Sequence, residues 1–244
     1  MTSSALQLEI CVDSPASLHA AVRGGADRVE LCASLGEGGL TPSAGWIEQA
    51  LESCSLPVFV LVRPRPGDFV YDTDEVECIV RDVRKVRELG AHGVVAGALR
   101  ADGRVDAEFV QRVQDAAGSL PLTFHRAFDH CAEPLEALSE LQRLGVRRVL
   151  TSGQAERAED GAELLRTLVE RAGDDVIVLP GGGVREATVA ELVRQTGVRE
   201  VHASASVEVA THATDGVSLG PAESSVRRVT SAERVAALRA ALGL

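Results

Sequence analysis

Lysine is almost absent from this chain, and its scarcity removes one kind of chemistry. Only one of the 25 basic residues is a lysine, Lys85, and it lies in an apolar-periodic stretch, Val76 to Leu89, that predicts a helix. A Schiff-base mechanism needs a lysine in the active site. Because Lys85 is far from every predicted strand end, we do not expect that mechanism here.

A basic surface patch and a long apolar run are also missing. The 244 residues include 36 acidic and 25 basic ones, a net charge of −11, and Arg147-Arg148 and Arg227-Arg228 are only short basic pairs. Nucleic-acid-binding surfaces are usually clustered and basic, so we expect no nucleic-acid partner. No apolar run approaches the roughly 18 residues needed to span a membrane, so we expect no membrane association.

Closely spaced cysteine pairs are absent as well. The chain has five cysteines, and none shows the C-x-x-C spacing of zinc ribbons or thioredoxin-type motifs. Residues Met1 to Ala5 lack a basic segment followed by an apolar stretch, so we expect no secretory signal. Cysteines in a chain that is not exported indicate a reducing compartment, and we predict a cytoplasmic location.

The chain does contain a regular alternation of short β-branched runs and longer amphipathic segments. The predicted strands are Leu6–Val12, Arg28–Cys32, Val58–Arg63, Gly93–Gly97, Leu122–His125, Arg148–Thr151, Val176–Leu179 and Glu200–Ala203. The predicted helices are Ala16–Arg23, Ala44–Glu52, Asp74–Leu89, Ala107–Ala116, Pro134–Leu144, Gly161–Ala172, Glu186–Gln195 and Ala232–Leu242.

Eight strands that are each followed by a helix predict parallel strands with crossover helices. We therefore predict an α/β fold of the (β/α)8 or TIM-barrel type; the alternative, a doubly wound sheet, usually has about five or six strands. The absence of a low-complexity linker predicts a single domain over residues 1–244. The long loops follow strands two, three, four and eight, so we expect the functional site at the carboxyl ends of the strands.

Strand alternation predicts a polar lining inside the barrel. The inward side chains near the predicted strand ends are Glu9, Cys11, Glu30, Cys32, Arg63, Thr123, His125, His202 and Ser204. One interpretation is a buried ion-pair network, such as Glu30 with Arg63 on the neighbouring strand. The other is a ligand site, which so many polar positions near strand ends favour.

Two loop motifs indicate acid–base chemistry and anion binding. His125 is the natural acid–base candidate, with Asp129 orienting it and Glu9 or Glu30 assisting as further catalytic residues. Arg63 and Arg65 could clamp a carboxylate or phosphate.

The ends of strands six, seven and eight could complete an anion site. Barrels commonly bind phosphate with the last two βα loops. Here these positions are Thr151, Ser152, Gly181, Gly182, Gly183, His202 and Ser204. The triple glycine could equally serve only a tight turn.

A pair of cysteines suggests a metal site. Cys11 and Cys32 are predicted on neighbouring strands at similar heights, where Cβ atoms lie about 5 Å apart. Two thiolates there could bind Cu(I), or, with His125 or His202, a zinc-like ion. Alternatively, both act as small buried hydrophobes.

Several sequence blocks resemble the CutC family over nearly the whole chain. They are 8–11 (LEIC), 25–32 (GADRVELC), 37–43 (EGGLTPS), 63–65 (RPR), 67–69 (GDF), 123–129 (TFHRAFD), 148–153 (RVLTSG) and 181–184 (GGGV). The resemblance implies a cytoplasmic barrel, often dimeric, that is linked by name to copper homeostasis, with Cu(I) ligands at Cys11 and Cys32. No organic cofactor is evident.

The chain departs from the family pattern in one segment and leaves a second function open. Ser206 to Thr230 carries few of the family's aromatic residues, which leaves the role of the eighth loop undetermined. The loops also fit an enzyme or binder for a small phosphorylated or carboxylated metabolite. We expect a homodimer or a higher homo-oligomer.

Overall fold

The computed structural model describes residues 6–210 and 226–244. Eight of its strands form one parallel sheet: β1 (Gln7–Val12), β2 (Arg28–Leu31), β3 (Val58–Leu61), β4 (Gly93–Ala96), β5 (Leu122–Phe124), β6 (Arg148–Thr151), β7 (Ile177–Pro180) and β8 (Glu200–Ala203). The helices are α1 (Pro15–Gly24), α2 (Ala44–Ser53), α3 (Thr73–Glu88), α4 (Ala107–Ala117), α5 (Pro134–Arg143), α6 (Ala162–Ala172), α7 (Val189–Thr196) and α8 (Ala232–Leu242).

The order of the strands confirms the barrel. They are hydrogen-bonded in the order β7-β6-β5-β4-β3-β2-β1-β8, and β7 and β8 at the two ends of this order also contact each other. The parallel sheet thus curls into a nearly closed barrel, as the strand count predicts. Among the helices described, none is both long and apolar enough to cross a membrane.

Side-chain alternation separates two apolar layers, and the predicted phases of β1 to β3 are correct. Leu8, Ile10 and Val12 pack in the large cluster between strands and helices. A small inner cluster contains, among others, Cys11 and Cys32. Phe59 belongs to the same cluster, and its ring occupies the space that a side chain at Gly93 would need, because a Cβ there would lie 2.5 Å from that ring.

Strands β2, β3 and β5 end one or two residues earlier than predicted. Cys32, Arg63 and His125 therefore lie just beyond their strands, at the start of the βα loops. The backbone N–H of Cys32 still donates to Val12 O at 2.8 Å, and that of Thr41 donates to Arg63 O at 2.9 Å. These bonds hold the first loop residues against the barrel.

The segment after β8 contains an antiparallel pair of strands, where the sequence predicts a loop. Strands β9 (Ser206–Ala210) and β10 (Val226–Thr230) pair antiparallel, with Val229 opposite Val207 and Arg228 opposite Glu208. The alternating β-branched residues explain this pairing. Residues 1–5 and 211–225 lie outside the described residues, so the predictions that fall on them are not tested.

Candidate functional site

The carboxyl ends of the strands surround a cavity of about 230 Å³, here called the mouth cavity. Most of the site residues predicted from the sequence line it: Cys11, Glu30, Cys32, Arg63, His125, Gly182, Gly183, His202 and Ser204. Its wall also includes Phe69 and Arg126, which the sequence analysis did not select. The inward phase of the strands and the glycine motif thus bring most of the predicted site residues to one cavity.

A buried set of charges lies beneath the cavity, and we call it the floor network (Glu9, Arg28, Arg148 and Glu200). Arg28 forms ion pairs with both carboxylates, and Arg148 donates to Glu200 at 2.9 Å. Arg28 and Arg148 also lie over the Phe59 ring, at 5.0 and 5.1 Å from its centre. Two arginines and two glutamates give the floor network no net charge. Such pairing offsets the cost of burying charged side chains.

Arg63 does not pair with Glu30, so that predicted ion pair is wrong. Its Nη1 donates to the carbonyls of Glu37 and Gly39, both at 3.1 Å, and its Nη2 donates to that of Gly67 at 3.0 Å. The predicted buried network exists, but Glu9 and other residues form it. Arg63 instead joins two βα loops through their backbone carbonyls.

His202 connects the floor network to the cavity. Its Nδ1 lies 2.8 Å from Glu9 Oε1, and its Nε2 lies 3.6 Å from Glu30 Oε2. Burial disfavours the charged ring, but Cys11, Glu9 and Glu30 together raise the pKa of His202 well above its ordinary value. His202 is therefore positively charged, and it interacts with the carboxyl groups of both Glu9 and Glu30.

The two carboxyl groups beside His202 have opposite pKa shifts. Burial raises the pKa of Glu30 to about 7, against the opposing charge of His202. Burial also acts on Glu9, but Arg28 and His202 outweigh it and lower the pKa of Glu9 to about 2. Glu9 is thus permanently ionised and bound to its partners, whereas Glu30 faces the cavity and can exchange a proton near neutral pH.

Both cysteines line the mouth cavity, but Cys11 lies level with Glu30 and Cys32 lies two residues beyond Glu30, so their predicted similar height is wrong. Cys32 is completely buried, and its Sγ lies 3.6 Å from Glu30 Oε2. Burial and the charge of Glu30 raise the pKa of the Cys32 thiol well above its usual range. Among the described residues, Cys11, Glu30 and His202 each offer one ligand atom, and these atoms lie within 4.8 Å of one another. This side of the cavity could therefore hold a metal ion.

His125 is a buried, neutral imidazole at the end of β5. Burial, reinforced by the charge of Arg63, lowers its pKa to about 3. Its Nδ1 accepts the backbone N–H of Ala127 at 3.2 Å, so the proton of the neutral ring is on Nε2. The Phe69 ring packs 5.0 Å from the imidazole. His125 can therefore donate a hydrogen bond to a ligand from Nε2.

Asp129 does not contact His125, so its predicted role as the orienter of His125 is wrong. It accepts instead from the Thr151 hydroxyl, from the backbone of Ser152 and Gln154, and from Arg126 Nε at 2.7 Å. Thr151 and Ser152 are fully buried and hold Asp129, which in turn holds Arg126. These three predicted site residues thus support the cavity wall from behind.

Arg126 is a charged residue of this wall that the sequence pattern does not identify. Residues Arg126–His130 form a 3-10 turn, which places Arg126 and Asp129 on the same side. The side chain of Arg126 is about two-fifths exposed and lies over Gly182. The arginine within the block 123–129 was its only signal, because strand alternation ends at His125.

Arg65 and Gly181 lie outside the cavity wall. Arg65 forms ion pairs with Asp68 and Glu75 on the surface of its own loop, so no clamp of Arg63 and Arg65 forms. Gly181 lies against the Leu150 side chain, where a Cβ would be 2.6 Å from a methyl carbon. Its role in this arrangement is close packing of the backbone.

This architecture defines a barrel protein with a cavity at the carboxyl ends of its strands. The CutC family model matches residues 6–207, and the chain belongs to the CutC family. It is 50% identical over 198 residues to the "family protein CutC" of Klebsiella pneumoniae (strain 342), covering 81% of this chain and 79% of that one.

A human relative and a solved structure give the same result. The chain is 44% identical over 198 residues to the human "Copper homeostasis protein cutC homolog", covering 81% of this chain and 72% of the relative. The crystal structure of CutC from Streptococcus agalactiae superposes with a TM-score of 0.78 at 31% identity. That match covers 82% of this chain and 98% of the other.

Proposed function

We propose that this protein binds Cu(I) in the mouth cavity through Cys11 and Cys32, with His202 as a third donor. The observation that carries the proposal is that two buried thiols and an imidazole line a single cavity. Thiolates are the donors that select Cu(I) in proteins, and an imidazole is a suitable additional ligand. Binding would displace the protons of the Cys32 thiol and of the His202 ring, and with these protons released the three residues fit Cu(I).

The names of the relatives support the same function. The human relative is called a copper homeostasis protein homolog. The thiols are also protected, since Cys11 is 7% exposed and Cys32 is not exposed at all. A metal bound there is shielded from solvent by the βα loops, which suits an ion that is easily oxidised in water.

A Cu(I) titration with a coloured competing chelator tests the proposal. The wild type should bind Cu(I), and a Cys11→Ser, Cys32→Ser double variant should lose more than about 100-fold in affinity. A Cys54→Ser, Cys78→Ser double variant is the matched control, because those cysteines do not line the mouth cavity. Equal affinity of the wild type and the first variant would refute the proposal.

The remaining expectations for this site stay predictions. They are catalytic roles for Glu9, Glu30 and His125, a cytoplasmic location, and assembly as a homodimer or larger homo-oligomer. Of these three catalytic candidates, Glu30 and His125 line the mouth cavity. Any acid–base chemistry of this cavity is therefore expected to use these two.

A further inference from the structure

The wall opposite the cysteines is built around a fixed arginine. Arg126 donates from Nε to Asp129 at 2.7 Å and from Nη2 to Ser152 Oγ at 2.9 Å. None of the described residues accepts a hydrogen bond from its Nη1. The guanidinium is thus held on one edge, and the other edge is available to a ligand.

The turn after β7 presents backbone donors beside this guanidinium. Gly182 and Gly183 have φ angles of +98° and +67°, and within the described part of the chain their N–H groups donate to no acceptor. A Cβ on Gly182 would lie 3.1 Å from Arg126 Nη1. A side chain at Gly182 would crowd the guanidinium, and its positive φ favours glycine. Successive backbone N–H groups in a turn can form an anion-binding concavity.

A third donor lies in the same cavity. His125 is 5% exposed, and its Nε2 has no hydrogen-bond partner among the described residues. Leaving a buried donor unpaired is costly, so such a group indicates a ligand or another acceptor. Because Nδ1 accepts from Ala127, the unpaired Nε2 carries the proton.

The charges around the cavity favour an anion. The charge of Arg126 is offset by Asp129, but the guanidinium of Arg63 bonds only to backbone carbonyls in the described residues. Arg63 therefore brings a positive charge to the cavity without forming an ion pair with any described carboxylate. A molecule with a negative charge would supply this missing partner.

We infer that the mouth cavity binds a small metabolite by its oxyanion group, held by Arg126 and the Gly182-Gly183 backbone, with His125 Nε2 donating to a further oxygen. The shared chemistry is a phosphate or a carboxylate. The volume of about 230 Å³ is below the roughly 300–1,000 Å³ of pockets for drug-sized ligands, so the metabolite has few atoms. The inference is independent of copper, because none of these donors is a proposed copper ligand.

Calorimetric titration at constant ionic strength, with inorganic phosphate and with malonate as probes, tests the inference. The wild type should bind at least one probe saturably, and Arg126→Gln should weaken that binding by about tenfold or more. Arg143→Gln is the matched control, because Arg143 also pairs with a carboxylate three positions away, Glu140, but outside the cavity. It should bind like the wild type.

A second measurement covers the case in which Arg126→Gln folds poorly. The Nε2–H signal of His125 in wild-type NMR spectra should shift on addition of the probe that binds. Binding of phosphate alone or of malonate alone identifies which oxyanion the site takes. The inference is overturned if neither probe binds the wild type, if a folded Arg126→Gln variant binds equally well, or if the His125 signal does not move.

Discussion

Glu9 Oε1 lies 2.8 Å from His202 Nδ1, while the other oxygen of the same carboxylate accepts from Arg28. The sheet register explains the arrangement, because Glu9 on β1 lies level with Arg28 on β2 and with His202 on β8. A single carboxylate thus joins the floor network to the wall of the mouth cavity. It fixes the orientation of His202, which is both a proposed copper ligand and a neighbour of Glu30.

Replacing this carboxylate should therefore be costly. Glu9→Gln leaves Arg28 and His202 without their shared partner, and breaking a buried pair in this way destabilises by about 3–5 kcal/mol. The free energy of unfolding from urea denaturation measures the loss. Glu191→Gln is the control, because Glu191 pairs with Arg194 on the exposed face of α7, where solvent screens the interaction. Similar losses in the two variants would contradict the role given to Glu9.

His125 should make stability depend on pH in acid. Its pKa is about 3 in the folded protein and 6.5 in the unfolded chain, so between these values the unfolded chain binds more protons. The contribution of His125 is complete above pH 6.5 and is lost as the pH falls towards 3, by up to about 1.4 kcal/mol per pH unit.

Denaturation curves of the wild type and of His125→Gln between pH 7 and 4 test this expectation. The variant cannot titrate at this position, so its stability should fall less steeply with decreasing pH. Nitrogen NMR of the ring should also show the Nε2–H tautomer at pH 6. Parallel pH profiles, or a charged ring at pH 6, would show that His125 is not the buried neutral group described above.

Sequence patterns predict the elements of this fold because each strand and helix depends on local periodicity. Side-chain alternation also places Cys11, Glu30 and His202 on one inner surface, and the structure brings all three to the mouth cavity. The ends of the strands are predicted less well. The sequence around Arg63 and His125 continues the pattern of the preceding strand, so it does not show that the backbone at these residues already belongs to a βα loop.

Pairing between distant side chains is the part that the sequence does not reveal. The side chains of Arg28 on β2, Arg148 on β6 and Glu200 on β8 point into the barrel and meet there. Their meeting depends on the register of the strands and on the curling of the sheet into a barrel. Arg126 becomes a wall residue only through a 3-10 turn. That turn has no periodicity long enough to recognise, so only the finished fold shows its partners.

Arg63 and Arg65 should behave differently despite their similar positions in the sequence. Arg63→Lys cannot reach all three carbonyls that the guanidinium spans, and we expect a loss of about 1.5–3 kcal/mol. Arg65→Lys is the matched comparison, because Arg65 is only partly buried and keeps Asp68 and Glu75 as partners. We expect it to change stability much less. Urea denaturation of both variants is sufficient, and equal effects would refute the loop-joining role of Arg63.

A variant of Asp129 tests whether this residue matters for phosphate binding through its negative charge or through its positioning of Arg126. The two roles predict changes of opposite sign in phosphate affinity. Removing its negative charge in Asp129→Asn would strengthen phosphate binding if only the electrostatic potential mattered. However, an amide group in place of one oxygen would face a donor, either Arg126 Nε–H or the backbone N–H of Ser152 or Gln154. Such a donor–donor contact displaces Arg126, and we expect phosphate to bind several-fold more weakly.

Calorimetric titration of inorganic phosphate into the wild type and Asp129→Asn measures this change. Glu140→Gln is the control, because it also removes the carboxylate partner of an arginine, Arg143, outside the mouth cavity. A purely structural defect would lower the melting temperature and leave the affinity of the folded fraction unchanged. Tighter phosphate binding in Asp129→Asn would show that Arg126 does not need Asp129 for its position, because the loss of a negative charge would then dominate.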